Sequence, residues 1–452
     1  MSGTHKRLAA LPGTLLCALA MCSPAHAQEA ASAPVQAASI TVIHAGSLLA
    51  EPGQKVLHEY TIVITNDTIT SVEPGYRPAS EVSGDARLID LKNGFVLPGL
   101  MDLHKHIAMP LDGPPDFFAS QGKLALLIAA VARNILSAGV TTVRDVGDNT
   151  GVTFAVRDAI NAGLIDGPRL IAAGRIISRT GGHGATKAPP GEVDYIAGGC
   201  DGPESCRRVV RENIEAGSDW IKVTVSGSGG EATGQRSAEP IMLPDEVSAV
   251  MSAARLAGRP VAAHAQSTAA INLALQLGAR TIEHGVYFDD KSVSLFKAND
   301  AYLVPTAYVA EFVSKQIDKF AATPATPGRL DAKGLRQWTI DAMANPGRAY
   351  RAGIRLGVGS DSGSLDDAQA TARELELYVA QGIPAGEAIK SATVINAQIL
   401  GLADRLGRIR SGFAADLIAV KGDPLVDISQ LRKVIFVMRG GAVNVEAPAL
   451  PR

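Results

Sequence analysis

The stretch Gly99-Leu100-Met101-Asp102-Leu103-His104-Lys105-His106 runs apolar and ends in two histidines one residue apart. Side chains alternate along a strand, so a buried strand of this kind delivers His104 and His106 to the same side. Taken alone, an HxH pattern fits a polar strand end as well as it fits a metal site. Four later segments tip the balance.

Each of these segments is a short run rich in Val, Ile and Ala that ends in a candidate ligand and then Gly or Ser. They are Lys222 in DWIKVTVSG, His264 in PVAAHAQS, His284 in TIEHG and Asp361 in RLGVGSDSG. Such runs read as buried parallel strands ending in loops. Helix-length segments separate or follow them at 244–257, 267–278, 289–299, 335–352 and 367–381. The candidate strands are 95–107, 141–147, 168–174, 219–227, 260–266, 281–286, 301–309 and 355–361, about eight in all, the number of a (β/α)8 TIM barrel. In that fold the site lies at the carboxyl ends of the strands, which is where these polar residues fall. A lone buried histidine is more often a hydrogen-bonded core residue than a ligand. Four of them at strand ends, with a lysine and an aspartate in like positions, resist that explanation.

In order along the chain, VLPGLMDLHKHI, IKVTVSG, VAAHAQS, TIEHG and GSDSG resemble the successive strand motifs of the amidohydrolase superfamily, over about residues 40 to 445. GGHG at 181–184 and the tail NAQILGLADRLGRIRSGFAADLIAVKGDPL are similar to its Xaa-Pro dipeptidase-like and carboxypeptidase-like branch, which includes ochratoxin-hydrolysing amidohydrolases. The resemblance implies a TIM barrel over 95–404 and a small β-sandwich domain from both chain ends, 39–94 and 405–447. The residues agree with the second part. Apolar and polar residues alternate in SITVIHAGSLL, YTIVITNDTITSVE and ARLIDLK, and again in ADLIAVK and KVIFVMRGGAVNV.

Four imidazoles suit zinc or a similar divalent ion. An ammonium has no lone pair, so Lys222 cannot ligate in its charged form. Trp220, Lys222 and Thr224 share one strand face, with Ile221, Val223 and Val225 opposite, which sends Lys222 into the barrel. Beside two cations its neutral amine is favoured and can capture carbon dioxide. The resemblance implies this carbamylated Lys222 as the bridge between two metals. It also implies His104, His106 and Asp361 on one ion, His264 and His284 on the other, and a bridging hydroxide that attacks the scissile carbonyl. Asp361 would then carry the proton to the leaving amine. His183, in RTGGHGATK after the third strand, is the candidate to hydrogen-bond substrate. Arg179 and Tyr308 are weaker candidates for substrate contacts, and Phe117 and Phe118 for an apolar wall.

Of the 452 residues 46% are apolar and 19% charged, and the net charge of -2 gives no reason to invoke nucleic acid or an anionic membrane as partner. Residues 1–27 read as a signal peptide, with Lys6 and Arg7 before an apolar run and Ala25-His26-Ala27 as the cleavage site after Ala27. The run is too short to span a membrane, and Cys22 in LAMCS matches lipid attachment poorly. Residues 28–38 form a flexible leader. The expectation is a periplasmic or secreted protein whose remaining cysteines, Cys200 and Cys206, can form a disulfide.

Three functions fit. One is a binuclear enzyme cleaving an amide or peptide bond next to a C-terminal carboxylate in dipeptides, N-acyl amino acids or ochratoxin-like amides. Another is a hydrolase of cyclic amides, of the imidazolone type, or of esters. The third, a non-catalytic binding protein on a barrel scaffold, gives no reason for six ligand types to stand together. The residues leave the exact substrate, the native metal and the oligomeric state, a homo-oligomer included, open.

Overall fold

Two kinds of strand follow one another along the chain, in a computed structural model that describes residues 38–108, 120–184, 198–227, 239–318, 332–363 and 367–446. The signal peptide and nearly all of the leader expected at 1–38, together with Phe117 and Phe118, lie outside these residues. The first strands are β1 (Ile40–Leu48), β2 (Leu57–Thr65), β3 (Thr68–Pro74) and β4 (Arg87–Pro98). Then come short, largely buried strands: β5 (Leu100–Lys105), β6 (Val140–Asp145), β7 (Arg169–Ala172), β8 (Ile176–Ser178), β9 (Gly198–Gly199), β10 (Ile221–Thr224), β11 (Val261–Ala265), β12 (Thr281–His284) and β13 (Tyr302–Val304). The first kind returns as β14 (Leu417–Val420), β15 (Val434–Arg439) and β16 (Ala442–Glu446).

Both chain ends meet in a seven-stranded sheet, ordered β16-β15-β14-β4-β1-β2-β3. Every described ladder among β5–β13 is parallel, in the orders β5-β6-β7 and β13-β12-β11-β10-β8-β9. Helices stand at Pro244–Leu256, Thr268–Gln276, Asp290–Ala298, Ala332–Arg351 and Ala370–Ala380, each within a few residues of expectation. The two faces of β10 part as the sequence requires. Ile221, Val223 and Val225 join the large core that includes Val209 and Val247 of neighbouring helices, whereas Trp220 packs with Met101, Leu103, Ala262 and Tyr302. Burying each such aliphatic side chain is worth about 1.5–3 kcal/mol.

The first and last expected barrel strands differ from the reading. Residues 95–107 are not one strand: Phe95 to Pro98 end β4 and pair with β14, and β5 starts at Leu100. The joint is Gly99, where a Cβ would stand 2.2 Å from the Thr141 hydroxyl, so only glycine lets the chain pass. Residues 355–361 form no ladder: Leu356 makes an isolated parallel bridge with Leu303, and Ser362, just beyond, makes another with Lys105. Gly359 is pressed against β5, and a Cβ there would lie 2.5 Å from His104 Cβ. The seventh run is also shorter than expected, since a helix begins at Ala307. No helix among the described residues is long and apolar enough to cross a membrane.

Candidate metal centre

The end of β5 carries His104 and His106, and its register against β6 slips between Asp102 and Lys105. Irregularities of this kind re-aim side chains beside functional sites. Asp361 approaches from the glycine-rich segment, its N–H donating to His104 O at 2.7 Å. Its Oδ1 lies 3.4 Å from both His104 Nε2 and His106 Nε2. The three side chains offer ligand atoms within 4.8 Å of one another. β11 and β12 bring His264 and His284 beside them. Ring centroids are 5.0 Å apart for His104 and His284, 4.5 Å for His264 and His284, and 4.6 Å for His183 and His264.

Hydrogen bonds select which nitrogen each ring offers. His104 Nδ1 is 2.7 Å from Glu283 Oε2, so Nδ1–H donates to the carboxylate and Nε2 is left for a ligand role. His264 Nε2 donates to Gly227 O at 2.9 Å, while His264 Nδ1 is buried with no hydrogen-bond partner in the structure. A buried acceptor without a donor is costly, of order 1–3 kcal/mol. A cation at Nδ1 would satisfy it. His284 Nδ1 lies 2.7 Å from Thr306 Oγ1.

Charge follows from burial and neighbours. Burial opposes ionisation of Asp361, but the neighbouring rings of His104 and His106, the second hydrogen-bonded to it, outweigh burial and hold the carboxyl at about 2. Burial drives His264 and His284 well below the ordinary range, and neighbouring imidazoles push the same way. His104 falls likewise, by burial first and Lys222 second. His106 goes the other way because the Asp361 hydrogen bond and charge overcome burial. Lys222 is 2% exposed and drops to about 8 by desolvation, which the carboxylates of Glu283 and Asp361 only partly oppose. Three neutral imidazoles, one ionised carboxylate and a destabilised ammonium form a donor set that fits divalent cations.

His183 stands next to this cluster, half-buried, its carbonyl accepting from Thr224 Oγ1 at 2.9 Å and its ring held at about 4 by burial and the Lys222 charge. Arg179 is not brought in. It is exposed, and its guanidinium donates to Thr180 O at 3.2 Å. Tyr308 sits at the start of helix Ala307–Ser314 and donates its hydroxyl to Asp367 Oδ1 at 2.6 Å. The sequence reading overlooks Glu283, Arg144 and Asp102. Arg144 Nη2 donates to Glu283 Oε1 at 2.8 Å, and its guanidinium lies over the Trp220 ring at 4.5 Å. Asp102 accepts from the His104 N–H at 3.1 Å and the Ser360 hydroxyl at 2.7 Å, tying the two ligand-bearing segments together. Their signal is a fully buried charge inside an apolar run, which marks importance without naming a partner.

The amidohydrolase family model matches residues 95–444. The chain belongs to the amidohydrolase family. This amidohydrolase is 29% identical over 445 residues to ochratoxinase of Aspergillus niger, an alignment covering 89% of this chain and 86% of the fungal protein. Its fold is similar to that of a Xaa-Pro dipeptidase solved with methionine bound in the active site, with 34% identity, a TM-score of 0.79, and coverage of 90% of this chain and 99% of that one. It is also similar to a prolidase complexed with N-methylphosphonate-L-proline, with 28% identity, a TM-score of 0.78, and coverage of 91% and 100%. Family and neighbours imply a TIM barrel with an attached β domain, and the described sheets agree with that architecture.

Proposed function

We propose that this amidohydrolase cleaves an amide or peptide bond next to a free carboxylate, in dipeptides, N-acyl amino acids or ochratoxin-like amides. The observation that carries the reading is the convergence of His104, His106 and Asp361 beside the unpaired Nδ1 of His264. His104, His106 and Asp361 would hold one divalent ion and His264 and His284 a second, both zinc by donor type. Lys222, as the neutral amine, would add carbon dioxide and release a proton, and the resulting carbamate would supply anionic oxygen donors to the metal centre. Bound there, the ions would polarise the scissile carbonyl and acidify the attacking water.

The chain's own residues supply the rest. Asp361, a carboxylate at neutral pH, accepts a proton from the attacking water and passes it to the leaving amine. His183, neutral at the same pH, offers a ring N–H to the oxygen on which charge develops. The strands close into a (β/α)8 ring at the glycine-rich segment, a reading supported by Leu103 N donating to Val358 O at 2.9 Å and Gly357 N to Leu303 O at 2.9 Å. Export, by a signal cut after Ala27, is supported by the disulfide between Cys200 and Cys206.

Substrate class is tested with matched substrates that differ only in the carboxylate beside the scissile amide. Amidating it should lower kcat/KM about 30-fold, or ~2 kcal/mol, the scale of a lost charge-assisted hydrogen bond. Equal values would move the assignment to cyclic amides or esters. Asp361→Asn should retain an oxygen ligand yet lower kcat by about 10²- to 10⁴-fold.

A further inference from the structure

Thr306 occupies the N-cap position of helix Ala307–Ser314, where a threonine hydroxyl ordinarily accepts from a first-turn N–H. Here it caps nothing. Its backbone is left-handed, at φ 53° and ψ 51°, a conformation that β-branched residues resist. The residue is 1% exposed, and its hydroxyl lies 2.7 Å from His284 Nδ1. The helix is capped instead by a side chain remote in sequence. Ala307 N donates to Glu374 Oε1 at 2.9 Å and Tyr308 N to Glu374 Oε2 at 2.6 Å, with Glu374 fully buried. His284 is itself left-handed at φ 69°, and its carbonyl accepts from Asn345 Nδ2 at 2.6 Å.

We propose that Thr306 is a positioning residue for the metal centre, its hydroxyl accepting the Nδ1 proton of His284 so that Nε2 carries the free lone pair, while Glu374 takes over capping of the helix. The inference rests on His284 being a metal ligand. A hydroxyl accepts a proton from one ring nitrogen as the Glu283 carboxylate does for His104, but without adding charge beside Lys222. Holding a threonine in a left-handed turn while a second side chain assumes its usual duty is expected where the direction of the hydroxyl matters more than local stability.

The test uses the full chain, stripped of metal, with zinc alone as probe: zinc affinity by chelator competition, and melting of the metal-free protein. Thr306→Val removes the hydroxyl and keeps the shape, and zinc affinity should fall about ten- to hundredfold, as for other partners of metal-binding histidines. Thr306→Gly removes the hydroxyl and relieves the strain, so it should melt no lower than the parent and still bind zinc more weakly. Thr306→Ser should bind as the parent does. Parent-like zinc affinity in the glycine variant would overturn the inference even if the valine variant failed to fold. So would equal losses in the serine and valine variants, which would assign the effect to methyl packing. A parent that binds no zinc overturns the metal-centre reading itself and this inference with it.

Discussion

His104 Nδ1 and Glu283 Oε2 lie 2.7 Å apart, on side chains that are 1% and 0% exposed. The carboxylate is held in turn by Arg144, whose Nη2 is 2.8 Å from Glu283 Oε1 and whose Nε donates to Leu103 O at 2.6 Å. The ring therefore has one nitrogen committed and one available. In Glu283→Gln the amide can still accept from Nδ1 but carries no charge, and zinc affinity is expected to fall about ten- to hundredfold. Chelator competition measures this, and parent-like affinity would mean that the pair serves folding alone.

Lys222→Ala removes the amine that the proposed carbamate needs. Metal content should drop below two ions per chain and turnover should collapse. Small carboxylic acids that fill the vacated bridge should restore part of both. Metal analysis of the purified variant decides the matter, since two ions and full turnover would assign the bridge elsewhere.

The disulfide between Cys200 and Cys206 spans a sequence separation of 6 and ties the residue after β9 to the N-terminal part of the helix Pro203–Glu215. Closing so short a loop restricts the unfolded chain only modestly, and the chain-entropy relation gives about 2 kcal/mol. Replacing both cysteines with serine should lower the unfolding free energy by about that amount in denaturant titrations. No change would show that the bridge is absent in solution or that its loop is already ordered by other contacts.

Much of the site was legible because its ligands break an apolar pattern at strand ends. His104, His264, His284 and Asp361 each follow a run that reads as a strand, and the helices were visible as segments of helix length separating or following those runs. Partners across long sequence separations were not. Glu283 and His104 are 179 positions apart, and Glu374 caps the helix at Ala307 from 67 positions away, pairings that only the fold creates. Left-handed backbone at His284, Thr306 and Asp361 was equally hidden, because glycine is the residue that announces such turns. The eighth strand was overread because Val358 and its neighbours look like strand, whereas Gly359 lets the backbone press against His104 of β5, and Gly357 against Ile399 and Asn396, with no ladder.

Glu374 gives a prediction of defined sign. Burial raises its carboxyl to about 8, against an ordinary value of 4.5, with the charges of Asp102 and Asp361 adding and the two backbone N–H groups opposing. Between pH 4.5 and about 8 the folded state holds a proton that the unfolded chain has released. The associated stability is thus complete below 4.5 and is lost as pH rises through about 8, with a slope approaching 1.4 kcal/mol per pH unit, about one proton. Asp145, raised to about 7 by burial, acts in the same direction over its own window from 3.8. Asp361, held at about 2, acts oppositely: its contribution is present above 3.8 and lost as pH falls towards 2. Comparing the metal-free parent with Glu374→Gln cancels the shared titrations. The parent's advantage over the variant should shrink steadily from pH 5 to pH 8. Denaturant titrations at four or five pH values within that range would show it, and parallel stability curves for the two proteins would place the Glu374 carboxyl at its unfolded value.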